Sequence, residues 1–418
     1  MEVVYKRCSG LDVHKETVVA CIMIREGGQV QKEIRMFRTM TSDLIVLHDW
    51  LQAHGVTHVA MESTGVYWKP VFNLLEGSFE VLLVNAAHIK TVPGRKTDVK
   101  DCEWIADLLS HGLLRGSFIP PEPIRDLRDL TRYRKSLTDE RVREVNRLQK
   151  LLESANIKLS SVATDVMGVS GRAMLEAILL GSTDPEVLSD LAKGRLRKKL
   201  PLLKEALQGR FRPHHRFLLG EILVHLDFLD EAIERLSEEV VNRIVPFSKV
   251  IELMDLIPGI DQRVAEGIVA EIGIDMSRFP THRHLASWAG VCPGNNESAG
   301  KRKSGKTRKG DRWLYRYLIE ASWSITRSKG TYLYALYHRL VPRRGAKKAI
   351  VAVAHSLLII VYHVLKNQVP YHELGANHFD KLNLTHIKRH HVRRLESLGF
   401  RVILEPLKKQ PDNNGVIF

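Results

Sequence analysis

The chain has 418 residues, enough for two or three domains with their own cores, and 44% hydrophobic with 27% charged residues describes a folded soluble protein, not a disordered or fibrous one. Its net charge of +15 is unevenly spread, with −1 over residues 1–120, +3 over 121–250 and +13 over 251–418, which points to a polyanionic partner, nucleic acid above all. The four cysteines form no CxxC pair and no disulfide framework, which argues against a zinc site, and the opening "MEVVYKRCSG" lacks a signal-peptide core, so the expectation is a soluble, cytoplasmic protein.

In chain order, "KRCSGLDVH", "ETVVACIMIR" and "QVQKEIRMFRT" have the apolar, β-branched or alternating character of three strands and predict an antiparallel meander. "SDLIVLHDWLQAHG" follows as a helix, with Ser42 or Asp43 placed to cap its start and Gly55 to end it. "THVAMEST" predicts a strand, "YWKPVFNLLEG" a helix, "FEVLLVNA" a strand, and "DVKDCEWIADLLSHGLL" a helix starting near Asp98. Three strands and then alternation predict an α/β domain over 1–120, a mixed sheet with helices on its faces.

After "IPPEPIR" the character changes. From Ile124 to Ala155 there is no Pro or Gly, and Leu127, Leu130, Leu137, Val145, Leu148 and Leu152 fall near a heptad seam, which predicts a long amphipathic, coiled-coil-like helix. "RFLLGEILVHLDFLDEAIERLSEEVVNRIV" predicts a second, so 121–250 is read as a helical linker. In "LMDLIPGIDQRVAEGIVAEIG" two helices meet at Pro258-Gly259, like half of a helix-hairpin-helix, though Asp261 stands where a second glycine is usual; an ordinary helical corner fits equally well. Residues 251–370 form a mainly helical C-terminal domain, including the apolar stretch Ala349–Leu365, read as a buried helix, and 371–418 form a basic tail.

Four acids stand out by placement. Asp12 and Glu62 end strand patterns, and Asp98 and Asp101, three apart, share one face at a helix start. An acid in an apolar strand is costly to bury unless paired, hydrogen-bonded or bound to metal, and hard oxygen donors suit Mg²⁺ or Mn²⁺. Asp98 as a helix cap and Asp101 as a first-turn acid are the purely structural alternatives. The set together fits a ribonuclease-H-like nuclease domain.

The second feature is "GVCPGNNESAGKRKSGKTRKGDRWLYR", a small-residue loop that becomes cationic, with seven Lys or Arg and one acid between Lys301 and Arg312. Lys301, Arg302, Lys303, Lys306, Arg308, Lys309 and Arg312, together with Lys96 beside Asp98, are candidate phosphate contacts. Two serines, Ser298 and Ser304, lie in the loop, and side-chain chemistry alone does not choose between them.

The order "GLDVHK", "MESTGVYWKPV", "KTDVKDCEWIADLL", "LIPGID" and "LASWAGVCPGNNESAGKRKSGKTRKGDRWLYRYL" resembles the DEDD-type transposases of bacterial insertion sequences, serine-dependent recombinases guided by a bridge RNA. The resemblance spans most of residues 5–370. It implies that Asp12, Glu62, Asp98 and Asp101 hold Mg²⁺ in a junction-resolvase-like domain. It aligns Ser298, not Ser304, with the catalytic serine that forms a phosphoserine–DNA intermediate. It further implies a structured non-coding RNA pairing with donor and target DNA, and a homodimer or homotetramer whose active site is shared between subunits. Two rivals remain from the residues themselves: a two-metal structure-selective endonuclease without a covalent serine step, and a non-catalytic nucleic-acid-binding protein.

Overall fold

The computed structural model describes residues 2–63, 65–85, 101–294, 296–382 and 384–405. The chain forms two compact units, Met1–Ile119 and Pro120–Phe418.

In the first unit β1 (Arg7–Val13), β2 (Thr17–Glu26) and β3 (Gln29–Arg38) form the expected antiparallel meander. Between β2 and β3 the turn is two residues, Gly27 and Gly28, both at positive φ, the backbone that a tight hairpin matching the strand twist requires. The chain continues through α1 (Thr41–Ala53), β4 (His58–Glu62), α2 (Trp68–Leu75) and β5 (Glu80–Val84). β4 lies parallel to β1 and β5 parallel to β4, giving the order β3-β2-β1-β4-β5.

Strand alternation assigns the two faces. Leu11, Val13, Val59 and Met61 pack against Leu44, Leu47 and Leu51 of α1 and Val71 and Leu75 of α2. Cys8, Ala60 and Val84 point the other way, onto Cys102, Ile105 and Ala106 of α3 (Asp101–Ser110). One expectation fails locally: α1 starts at Thr41 behind Met40 with no side-chain cap, because Asp43 pairs instead with Arg38 at 3.2 Å.

The second unit opens with α4 (Glu122–Ser154), led in by Pro121 and Pro123, where the missing N–H groups cost nothing. Its partner is α5 (Pro213–Ile244). Asp126 meets Arg243, Arg141 meets Asp230, Glu144 meets His225 and Ser154 meets His215. One set of numbers falls as the other rises, so the two helices run antiparallel. Leu137 packs on Leu229 and Ile233, but the seam also takes in buried Glu144, which meets His225. Short helical pieces between Leu159 and Ala206 close over the far end, around Leu148, Leu152, Met174, Leu203 and Leu223.

The C-terminal part carries α6 (Ser248–Asp255), α7 (Gln262–Ile272), α8 (His282–Trp288), a two-stranded hairpin, α9 (Arg312–Ile325), α10 (Tyr332–Arg344) and α11 (Ala346–Asn367). At the Pro258-Gly259 corner Gly259 has φ +86°, and a Cβ there would stand 2.7 Å from the Ala321 carbonyl oxygen of α9. Asp261 caps α7 by accepting the Val264 N–H at 2.8 Å. The corner glycine is thus committed to helix packing, and a carboxylate already holds an N–H of the helix start. By length and composition α11 is apolar enough to cross a membrane, yet Ala349, Val353, Leu357, Leu358 and Val361 are buried within their own unit. Beyond it, α12 (His378–Leu382) and α13 (Leu384–Ser397) bury no residue.

Candidate active site

Asp12 and Glu62 come together through the sheet. β1 and β4 are in register up to Leu11↔Met61, and these two acids are the next residue on each strand. By alternation both face α3, as Cys8 and Ala60 do four and two residues earlier. Asp12 is half-buried, its side chain 24% exposed, and lies 3.1 Å from His14 Nε2. Glu62 is half-buried at the end of β4.

The direction of α3 brings Asp101 to the same end. Ser110, at its C-terminus, accepts the Val4 and Tyr5 N–H groups at 2.8 and 3.0 Å, at the start of β1. Cys8 Sγ reaches Ala106 O, and Gly10 lies against Cys102. The helix therefore runs antiparallel to β1, and its first residue, Asp101, reaches the carboxyl end where Asp12 sits. Three of the four expected acids share one face and one end of the sheet. Asp98 and Lys96 lie outside the described residues, and among the described residues no group of three or more His, Cys, Asp or Glu is close enough to hold a metal ion. The donor set, carboxylate oxygens in a half-buried setting, nonetheless has the hardness that Mg²⁺ selects.

The serine segment differs from the loop expected for it. It is a β-hairpin, β6 (Asn296–Ser298) pairing with β7 (Lys301–Ser304). Its turn is Ala299-Gly300, at φ +49° and +73°, so both central residues are left-handed. An alanine there costs about 1–2 kcal/mol relative to the ordinary basin, which hides the turn from a search for Asn-Gly or Asp-Gly pairs. Ser298 is exposed at the tip, immediately before the strained alanine. Ser304 is half-buried at the far end of β7, and its hydroxyl accepts the Lys306 N–H at 3.1 Å.

The base of the hairpin is clamped. Gly294 N donates to Lys306 O at 2.9 Å and Asp311 N to Trp288 O at 3.0 Å. A Cβ on Gly310 would be 2.3 Å from Gly290 N, so both positions require glycine for the strands to cross. Asp311 then caps α9 by accepting the Trp313 and Leu314 N–H groups at 3.0 and 2.8 Å. It also meets Arg132 of α4 at 3.3 Å, and Arg132 makes a bidentate pair with fully buried Glu271 at 2.7 and 2.8 Å. Arg134 and Glu266 form a second buried pair at 2.7 Å. The long helix thus supports the hairpin's exit through fixed charges.

Lys301, Lys303, Lys306, Arg308, Lys309 and Arg312 are all exposed; the Arg302 side chain is outside the described residues. The only acid of that stretch, Asp311, is turned inward to its cap and to Arg132, so the cations keep their charge toward solvent. Sequence reading missed Arg344, Lys347 and Lys348, which fold back beside the hairpin and signal themselves only as ordinary helix-end cations.

A family model described as "Transposase" matches residues 9–157, and one described as "Transposase IS116/IS110/IS902 family" matches residues 251–338. The first covers the acid-bearing sheet and the second the serine hairpin. The chain belongs to the IS110-type transposase family. Among curated relatives, the transposase is 23% identical over 375 residues to "Transposase for insertion sequence element IS1111A" of Coxiella burnetii, covering 87% of this chain and 90% of that protein. It is 26% identical over 302 residues to "Insertion element IS116 uncharacterized 44.8 kDa protein" of Streptomyces clavuligerus, covering 64% and 73%. It is therefore an insertion-sequence transposase acting on DNA.

Proposed function

We propose that the transposase cuts and rejoins DNA through Ser298, in concert with a carboxylate set in a ribonuclease-H-like first unit, under the guidance of a bridge RNA. The observation that carries the serine reading is the contrast within the hairpin: Ser298 stands exposed at the tip close to exposed Lys301 and Lys303, whereas the Ser304 hydroxyl is tied to its own backbone. The Ser298 oxygen attacks a phosphorus atom, an O–P bond to serine forms, the P–O bond to one deoxyribose breaks, and the serine proton ends on the departing oxygen. The phosphodiester's energy is kept in the phosphoserine, so a strand hydroxyl reverses the step and rejoins DNA. Exposed Lys301 and Lys303 oppose the charge of the scissile phosphate.

Asp12, Glu62, Asp98 and Asp101 would hold Mg²⁺ or Mn²⁺. When bound, such an ion supplies Lewis-acid stabilisation to phosphoryl oxygens. The ribonuclease-H-like reading is supported by the order β3-β2-β1-β4-β5 with an antiparallel meander and two parallel strands. The +13 charge of residues 251–418 supports a nucleic-acid partner held through its phosphates, and on this reading base pairing by the RNA supplies the sequence. On this reading the enzyme works as a homo-oligomer on donor and target DNA.

The decisive experiment incubates the protein with its element DNA, flanking RNA and Mg²⁺ and looks for a covalent protein–DNA adduct. The adduct should vanish in Ser298→Ala and persist in Ser304→Ala. Cleavage without any adduct would favour a two-metal endonuclease; an adduct persisting in Ser298→Ala would remove the serine assignment.

A further inference from the structure

Beside the serine hairpin lies a groove of about 1020 Å³, walled by the segment Ser304–Thr307 on one side and by α10 and α11 on the other. Four cations line it: Lys306 from the hairpin, Arg344 from the end of α10, and Lys347 and Lys348 from the start of α11. Among the described residues no Asp or Glu lines it. Between the cations the lining is mainly aliphatic, with Leu336, Leu340, Val351 and Ala352, and His355 and Ser356 follow on the same helix as Ala352. All four cations are exposed. The volume lies at the upper end of what ligand pockets hold and has room for a nucleotide.

Cations around a mainly aliphatic lining suit a ligand that is anionic on one side and flat and apolar on the other. A duplex keeps the flat faces of its bases inside the stack and would leave that apolar surface unused. An unpaired nucleotide presents both, because its base is free to leave the stack. We propose that this groove seats an unpaired nucleotide of a nucleic-acid strand, its phosphate on Lys306, Arg344, Lys347 and Lys348 and its base over Leu336, Leu340 and Ala352. The groove is a binding site in its own right and does not depend on Ser298 being the nucleophile. Its position adds a consequence: Ser304 on its wall pairs with Asn296, and Ser298 lies two residues further along that strand, roughly 7 Å at the rise of an extended chain. A strand held in the groove would present its next phosphates near the hairpin tip.

The test is equilibrium binding of the full-length chain in a Ser298→Ala background, so that affinity is read without chemistry. Dye-labelled single strands of about twelve nucleotides, one DNA and one RNA of the same sequence, span a site of the usual size. K347E/K348E should weaken binding of the preferred strand tenfold or more. R197E/K198E, the same charge change on exposed residues elsewhere in the unit, should weaken it less than threefold. Ala352→Trp fills the groove without touching charge and should also cost tenfold; Ser356→Trp on the same wall serves if that variant fails to fold, as judged by circular dichroism. The strand type that shows these losses names the source, DNA or RNA, and equal losses in both assign recognition to features they share. The proposal is overturned if groove and control charge variants lose equally, if both tryptophan variants bind normally, or if duplex DNA competes as well as the single strand. A failed adduct assay with intact groove binding would overturn the serine reading alone.

Discussion

The backbone of Gly10 presses against that of Cys102: a Cβ on the glycine would lie 2.2 Å from the Cys102 carbonyl oxygen and 2.4 Å from the Ala106 nitrogen. Those atoms are backbone, so they cannot swing aside as a flexible side chain would. This contact seats α3 directly on β1 and carries Asp101 to the end of the strand that bears Asp12. Gly10→Ala should therefore lift the helix, cost about 2–3 kcal/mol as overpacking does, and abolish DNA cleavage. Thermal unfolding and a cleavage assay check it; a near wild-type melting temperature would show that the helix is not held by this approach.

Asp12→Asn keeps the shape of the strand end and removes one negative charge. Strand cleavage should fall at least a hundredfold at saturating Mg²⁺, with RNA binding unchanged within threefold, since the cations of the second unit are untouched. Parallel cleavage and filter-binding measurements decide it, and near wild-type cleavage would remove the carboxylate assignment.

Ala299 occupies a left-handed backbone at φ +49° in the hairpin turn. Ala299→Gly should retain adduct formation and leave stability equal or up to about 1 kcal/mol higher. Ala299→Val, which resists positive φ far more, should lose most of the adduct while the rest of the protein melts normally. If the valine variant forms adduct at the normal rate, the turn does not position Ser298.

Glu271 is fully buried between Arg128 and Arg132, and burial pushes its carboxyl above the ordinary range while the Arg132 hydrogen bonds oppose that. Glu271→Ala removes the buried anion that Arg128 and Arg132 share and should cost about 3–5 kcal/mol in chemical denaturation. Arg132→Lys, which cannot make the paired contact, should cost less but loosen Asp311 and so reduce cleavage. Equal stability of the Ala variant and wild type would mean that the pair is not formed.

Of the four thiols, Cys8, Cys21 and Cys102 are buried, and burial pushes Cys8 and Cys21 up to about 12. Cys292 is partly exposed at the base of the hairpin. A thiol reagent should find one rapid site in the native protein and four in denaturant. Bulky modification of Cys292 should block adduct formation, and Cys292→Ser should restore activity in the presence of the reagent.

Much of the first unit was legible in the chain. β-branched alternation marked β1 to β3, and the apolar runs with acids at their ends marked Asp12 and Glu62. The long helix Glu122–Ser154 was legible because no Gly or Pro interrupts it after its first turn. The serine hairpin was not, since Ala-Gly is an unusual turn pair whose cost is met by the clamp at Gly290 and Gly310. Nor was the cap of α1, because Asp43 has a competing partner in Arg38 that lies five residues back in sequence and on a different element.

By itself the sequence determined which residues are candidates for chemistry: acids at strand ends, a serine among cations, and an excess of positive charge in the last 168 residues. These are properties of residue type and near neighbours, which local propensity and charge express directly. Only the tertiary structure decided that Asp12 and Glu62 are adjacent, because strand register joins residues fifty apart. It alone showed that the Ser304 hydroxyl accepts the Lys306 N–H while Ser298 stands exposed, because a hydroxyl's hydrogen bond depends on the fold of its turn. It alone gathered Lys306, Arg344, Lys347 and Lys348 around one groove, since helix packing, not spacing along the chain, sets which cations face each other.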